Sequence, residues 1–71
     1  MDELLKQLGL AAGEAAVYQA LLERESGSPA ELATLTGLKR PDTYNKLAEL
    51  RAKGLVEEFT AKNGRKRYRL E

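Results

Sequence analysis

The segment SPAELATLTGLKRPDTYNKLAELRAKG, running from Ser28 to Gly54, decides the fold. Ser28 is placed to N-cap a helix, Pro29 suits that helix's first turn, and Glu31 completes a capping box with Ser28. Leu32 and Leu35 share one face of this helix, and Ala33 is a small residue where a second helix can cross closely. Gly37 ends it, because glycine alone enters a left-handed C-terminal turn without steric penalty. Leu38 follows as an apolar plug. A second helix is predicted from Pro41, since the residue before a proline is pushed out of the helical region and Pro is welcome at the first position. It carries Thr43, Tyr44, Leu47 and Leu50 at spacings of three and four, and stops at Lys53-Gly54. Two helices joined by a tight turn make a helix-turn-helix.

After Gly54 the periodicity changes from helical to alternating. Residues 55–60 and 65–70 read as two strands around Ala61-Lys62-Asn63-Gly64. Asn-Gly is the strongest short hairpin signal, because a type I′ turn needs positive φ at both central residues. With Asn63-Gly64 as a two-residue loop, Lys62 pairs with Arg65, Phe59 with Tyr68, Glu58 with Arg69 and Glu57 with Leu70. Leu55, Phe59, Tyr68 and Leu70 then face inward, and Arg65, Arg67 and Arg69 outward. The tip, Lys62 to Lys66, holds three positive charges and no negative one.

Upstream, Leu4, Leu5 and Leu8 form a narrow apolar stripe on a predicted N-terminal helix over residues 1–8, with Asp2 and Glu3 complementing its dipole. A further helix runs from about Gly13 to Arg24, burying Val17, Tyr18, Leu21 and Leu22 beside Ala16 and Ala20. Its N-terminus is poorly capped, because Ala11 and Ala12 offer no side-chain oxygen. The connection Glu25 to Ser28 has room for a short edge strand.

The chain has 71 residues, no cysteine and no histidine. It forms one domain, near the size at which about 60% of the unfolded surface is buried. Neither disulfides nor the usual metal ligands can staple it, and no metal or other cofactor is expected. The remaining carboxylates and lysines show no paired acid–base spacing and no glycine-rich phosphate loop, which sets catalysis aside. No apolar run approaches a membrane span and no signal-peptide pattern opens the chain, so the expected location is cytoplasmic. The formal net charge of +1 conceals an asymmetry. Residues 1–31 hold two basic and six acidic side chains, a net of −4; residues 32–71 hold ten and five, a net of +5. A basic half carrying a helix-turn-helix and a basic hairpin is an electrostatic footprint of nucleic-acid binding.

These elements add up to a mainly α chain with a small β-hairpin, a winged helix-turn-helix with a wing over residues 55–70. The stretch LGLAAGEAAVYQALL, the Pro29-Ala30-Glu31-Leu32-Ala33 helix start, Arg40 followed by Tyr44, Leu47 and Leu50, and the Gly-Leu-Val-Glu junction closely resemble the DNA-binding domain of TrmB-type transcriptional regulators. The resemblance runs from Leu8 to Leu70 and implies a regulator that binds double-stranded DNA. Two positions depart from the family pattern. Ala11 stands where a serine or threonine is usual, and Pro41-Asp42 occupy the first turn of a recognition helix commonly richer in Ser and Arg. Full-length members commonly add a C-terminal sugar-binding domain; none lies within these residues, and no small-molecule effector is implied.

The expected DNA-contacting set is Ser28, Lys39, Arg40, Asp42, Thr43, Asn45, Lys46, Lys62, Arg65, Lys66 and Arg67. Lys39 and Arg40 sit at the end of the recognition helix that enters the major groove. Arg40 suits guanine O6 and N7, and Asn45 suits adenine N6 and N7. Asp42 can accept from cytosine N4 or balance the helix N-terminus, the second role being favoured, and Ser28 offers a phosphate contact at the start of its own helix. On the helix wheel Thr43, Tyr44, Leu47 and Leu50 take the buried side, while Asp42, Asn45, Lys46 and Glu49 fall on or beside the opposite one. The Leu4, Leu5 and Leu8 stripe, which three helices do not need, predicts a homodimer. The competing reading is a winged helix that binds other proteins, which would expose an apolar patch on the recognition helix or wing.

Overall fold

A computed structural model describes Gln7 and residues 9–71. Among them the order is α1 (Ala12–Arg24), β1 (Ser26–Gly27), α2 (Pro29–Thr36), α3 (Arg40–Ala52), β2 (Val56–Thr60) and β3 (Lys66–Leu70). The stripe of Leu4, Leu5 and Leu8 lies outside the described residues.

The start of α1 finds its cap within the helix itself. Ala11 supplies no side-chain acceptor, but Glu14 Oε1 accepts the Ala11 N–H at 3.1 Å. The other carboxylate oxygen takes the ammonium of Lys53 at 2.8 Å, and that ammonium also donates to the Gly9 carbonyl at 3.0 Å. Glu14 is 4% exposed, so one buried carboxylate ties the entry of α1 to the exit of α3. The Lys53 hydrogen bond is the main reason its carboxyl titrates below the ordinary value of 4.5.

The helix-turn-helix forms as its punctuation predicts. Ser28 Oγ accepts the Glu31 N–H at 3.2 Å while Glu31 Oε1 accepts the Ser28 N–H at 3.2 Å. Gly37 closes α2 with φ 77°, its N–H donating to the Ala33 carbonyl. Thr36 adds a tie the periodicity did not suggest: its hydroxyl donates to the Leu32 carbonyl at 2.7 Å and accepts the Leu38 N–H at 3.3 Å. Helix α3 begins one residue earlier than predicted, at Arg40, with Lys39 as its N-cap and Pro41 second.

The core is made by Val17 and Leu21 of α1, Leu32 of α2, Leu47 and Leu50 of α3, and Val56 and Tyr68 of the sheet. Burying each aliphatic side chain contributes about 1.5–3 kcal/mol. Three residues expected inside are exposed: Leu22 by 44%, Leu35 by 46% and Tyr44 by 53%. In each helix the inward arc is narrower than the apolar stripe. On α1 it is filled by Val17, Ala20 and Leu21, and on α3 by Thr43, Leu47 and Leu50, so a residue one step further round is turned away by about 100°.

The sheet is antiparallel with strand order β1-β3-β2. The short edge strand exists: Ser26 pairs with Arg69 and Gly27 with Tyr68. In the hairpin the predicted register is wrong by one residue. Glu58 lies opposite Tyr68, Phe59 opposite Arg67, Glu57 opposite Arg69 and Val56 opposite Leu70. The loop has three residues, Lys62-Asn63-Gly64, instead of two. Ala61 N–H donates to the Arg65 carbonyl at 2.8 Å, and Gly64 N–H donates back to the Ala61 carbonyl at 2.9 Å. Gly64 alone takes positive φ, at 83°, and Asn63 Oδ1 accepts the Arg65 N–H at 3.0 Å. This is a type I turn closed by a left-handed glycine, not a type I′ turn. One step of register exchanges the faces of β2. Val56 enters the core, and Phe59 instead lies outward under the Arg69 guanidinium, 4.4 Å from its ring centroid.

Two stability measurements follow from these joints. Lys53→Met leaves Glu14 buried without its cation, and costs about 1–3 kcal/mol at neutral pH because the ammonium is partly solvated. Glu14's folded pKa is lowered, so its contribution is present above 4.5 and is lost as pH falls through the folded value. Urea melts of both proteins therefore diverge at neutral pH and converge as pH falls below the folded value of Glu14. Ser28→Ala removes the cap of α2 and lowers stability by about 1 kcal/mol. In the same melts Arg65→Ala, at an exposed turn, stays within about 0.5 kcal/mol of the parent.

Candidate nucleic-acid interface

The capped start of α2, the N-terminal half of α3 and the inner face of the wing enclose a groove of about 400 Å³. Its walls are Ser28, Pro29, Ala30, Arg40, Tyr44, Glu58, Arg65, Lys66 and Tyr68. Four of the predicted contact residues, Ser28, Arg40, Arg65 and Lys66, thus meet around one concave surface. Its lining holds three cations and one carboxylate.

The remaining predicted residues divide by environment. Lys39 and Arg40 are exposed at the leading end of α3, with Asp42 in its first turn and Asn45 exposed one turn on. Lys62 is exposed at the hairpin tip. Thr43 is fully buried, and its hydroxyl donates to the Lys39 carbonyl at 3.0 Å, beside the Thr43 N–H at 2.9 Å. It fixes the first turn of α3 and presents no polar atom to a ligand. Lys46 is turned toward α1: its side-chain carbon Cε would lie 2.9 Å from a Cβ at Gly13, and its ammonium is 3.6 Å from Glu49.

Arg67 is committed internally as well. It is 29% exposed at the side chain, with Nη1 2.7 Å from Glu31 Oε1 and Nη2 donating to Ser26 Oγ at 3.3 Å. Glu31 therefore serves both the α2 cap and the wing. The Ser28 N–H, followed by Arg67, holds its carboxyl below the ordinary 4.5.

Five wall residues were not in the predicted set: Pro29 and Ala30 at the start of α2, and Tyr44, Glu58 and Tyr68, which carry polar groups. Tyr44 stands on the groove side of α3 instead of in the core. Tyr68 is buried, and its hydroxyl donates to Glu58 Oε2 at 2.7 Å. Burial, reinforced by that carboxylate, pushes the phenol up to about 12, while the hydrogen bond lowers the Glu58 carboxyl. Glu58 also stands 3.5 Å from Lys66 and 3.6 Å from Arg51. The only advance signal for this cluster was the hairpin register, since Tyr68 opposite Glu58 brings the two together.

Among the described residues no cluster of His, Cys, Asp and Glu suits a metal ion, and no helix is long and apolar enough to cross a membrane. Solved structures share the fold over nearly the whole chain. A MarR family transcriptional regulator from Silicibacter pomeroyi superposes with a TM-score of 0.88 at 17% identity, over 97% of this chain and 47% of that one. The MepR–DNA complex of S. aureus gives 0.84 at 19% identity, over 99% and 60%. TrmBL2, an archaeal chromatin protein whose structure shows DNA binding, gives 0.81 at 34% identity, over 97% and 27%. The chain thus spans about half the length of the first of these and about a quarter of the last. No curated protein matches as a relative. The family model described as sugar-specific transcriptional regulator TrmB matches residues 5–70, and these regulators are not enzymes. The chain belongs to the TrmB family of transcriptional regulators, with their winged helix-turn-helix fold.

Proposed function

We propose that this domain binds double-stranded DNA in a sequence-dependent way, with α3 in the major groove and the wing on the backbone or minor groove, as a cytoplasmic regulator of transcription. The observation that carries this is the concave groove joining Ser28, Arg40, Arg65 and Lys66. Arg40 and Asn45 address base edges, with Lys39 beside them and Asp42 complementing the helix dipole. Ser28 and the amides at the start of α2 take a phosphate, Lys62 and Arg65 follow the backbone, and Lys66 lines the groove beside them. Thr43, Lys46 and Arg67 hold the elements in place. The protein-binding alternative calls for an apolar patch on the recognition helix or wing. Of the exposed large hydrophobics among the described residues, only Tyr44 lies there; Leu22 and Leu35 belong to α1 and α2.

Homodimerisation is proposed from the small core and the Leu4, Leu5 and Leu8 stripe of the sequence. A twofold pair sets two recognition helices on half-sites about 34–36 Å apart. Sedimentation of a dimer on DNA supports it, and a monomer at high concentration, free and bound, contradicts it.

Neutralising about five phosphates gives a log–log salt slope near −4.5, since each contact contributes about −0.9. Anisotropy titrations at several salt concentrations measure it, and an affinity indifferent to salt removes the proposal. In the same titrations Arg65→Ala weakens preferred and scrambled duplexes alike and makes the slope shallower by about 0.9. Arg40→Ala or Asn45→Ala costs about 1–3 kcal/mol mainly on the preferred site and relaxes one base position.

A further inference from the structure

Glu58 is the one carboxylate in the wall of the proposed DNA groove, and its surroundings resemble those of a bound phosphate oxygen. One hydroxyl and two cations converge on it: Tyr68 Oη at 2.7 Å, Lys66 Nζ at 3.5 Å and Arg51 Nη1 at 3.6 Å. The Tyr68 hydroxyl comes from a side chain only 6% exposed, so the carboxylate is held from behind while the cations reach it from the solvent side. Its sequence neighbour Glu57 is arranged differently, pairing with Arg69 on the opposite face of the wing. Accordingly, we propose that Glu58 is an affinity-setting residue, a built-in mimic of a DNA phosphate that withholds Lys66 from the duplex. This inference rests on the duplex-binding reading above.

Carboxylate and phosphate oxygens compete for the same donors, because both are anionic acceptors with similar hydrogen-bond geometry. In the free domain Lys66 already has its anion. A DNA backbone entering the groove must share that cation with Glu58, and must approach a fixed negative charge. The domain therefore gains less phosphate affinity than its basic wing suggests, and base-edge contacts carry more of the binding.

The test uses Glu58→Gln, which keeps the side chain's size and an acceptor for Tyr68 but removes the charge. Freeing one cation steepens the salt slope by about 0.9, which is roughly an eightfold gain in duplex affinity at 0.1 M monovalent salt. Glu57→Gln removes an equal charge from the other face and changes affinity by less than about twofold, because the exposed site is screened. Lys66→Ala in the Glu58→Gln background abolishes the gain. In the parent background it leaves the slope within about 0.3 of the starting value, whereas Arg65→Ala lowers it by about 0.9. That comparison stands even if Glu58→Gln does not fold. No gain from Glu58→Gln, an equal gain from Glu57→Gln, or an equal slope loss from Lys66→Ala and Arg65→Ala overturns the inference. With a parent that binds with a steep salt dependence, those outcomes overturn this inference alone. If the parent shows no salt-dependent binding, the duplex reading falls and takes the inference with it.

Discussion

The packing of Val17 and Leu21 against Leu32, Leu47 and Leu50 is the constraint on which everything else rests. The chain has no cysteine and no histidine, so no covalent or metal staple supplements this small core. All three helices contribute to it, which fixes α3 relative to α2 before any polar contact is considered. Leu38 packs against it from the turn, so the same core sets the angle at which the two helices of the motif meet. The sheet joins through Val56 and Tyr68, and that is what orients the wing.

Carboxylates then lock the joints between these packed elements. Glu14 ties α1 to the end of α3, Glu31 ties the start of α2 to β3 through Arg67, and Glu58 ties β2 to β3 through Tyr68. All three titrate below the ordinary 4.5, each mainly because a hydrogen bond favours the ionised form. With lowered folded values, their contributions are present above that pH and decline together as pH falls through them. The joints at the exposed Glu31 and the half-buried Glu58 contribute modestly to stability. Their larger effect is geometric, because they frame the two sides of the groove between α2 and the wing.

Much of this was legible in the sequence, and the rest was hidden for identifiable reasons. The Ser28–Glu31 capping box, the Gly37 stop and the change of period after Gly54 are local signals, and each element they predict is present. The hairpin register was not decidable locally, because Asn63-Gly64 fits either a two-residue type I′ loop or a three-residue loop ending in a left-handed glycine. Burial of Val56 and Tyr68 in the helical core decides between them, and that information is tertiary. Tyr44 shows the limit of helical spacing, which identifies an apolar stripe but not how much of it a neighbour covers. Among the candidate contacts, Arg40 is exposed at the helix N-terminus and Asn45 is exposed as the helix wheel suggests. Lys46 and Arg67 are cations but lie inward, Lys46 packed over Gly13 and Arg67 paired with Glu31, positions distant from them in the chain. Glu58 escaped notice because its role depends on the one-residue register shift.

The central claim is that the concave surface between α3 and the wing receives duplex DNA. Titrating a labelled sample with a duplex and following the backbone amides by NMR tests this directly. Shifts concentrated at Ser28, Arg40, Tyr44, Asn45, Arg65 and Lys66, with Ala16, Leu22 and Leu35 unmoved, are the expected result. Shifts concentrated at Leu22 and Leu35, with the wing and α3 silent, contradict it and point to the face formed by α1 and α2.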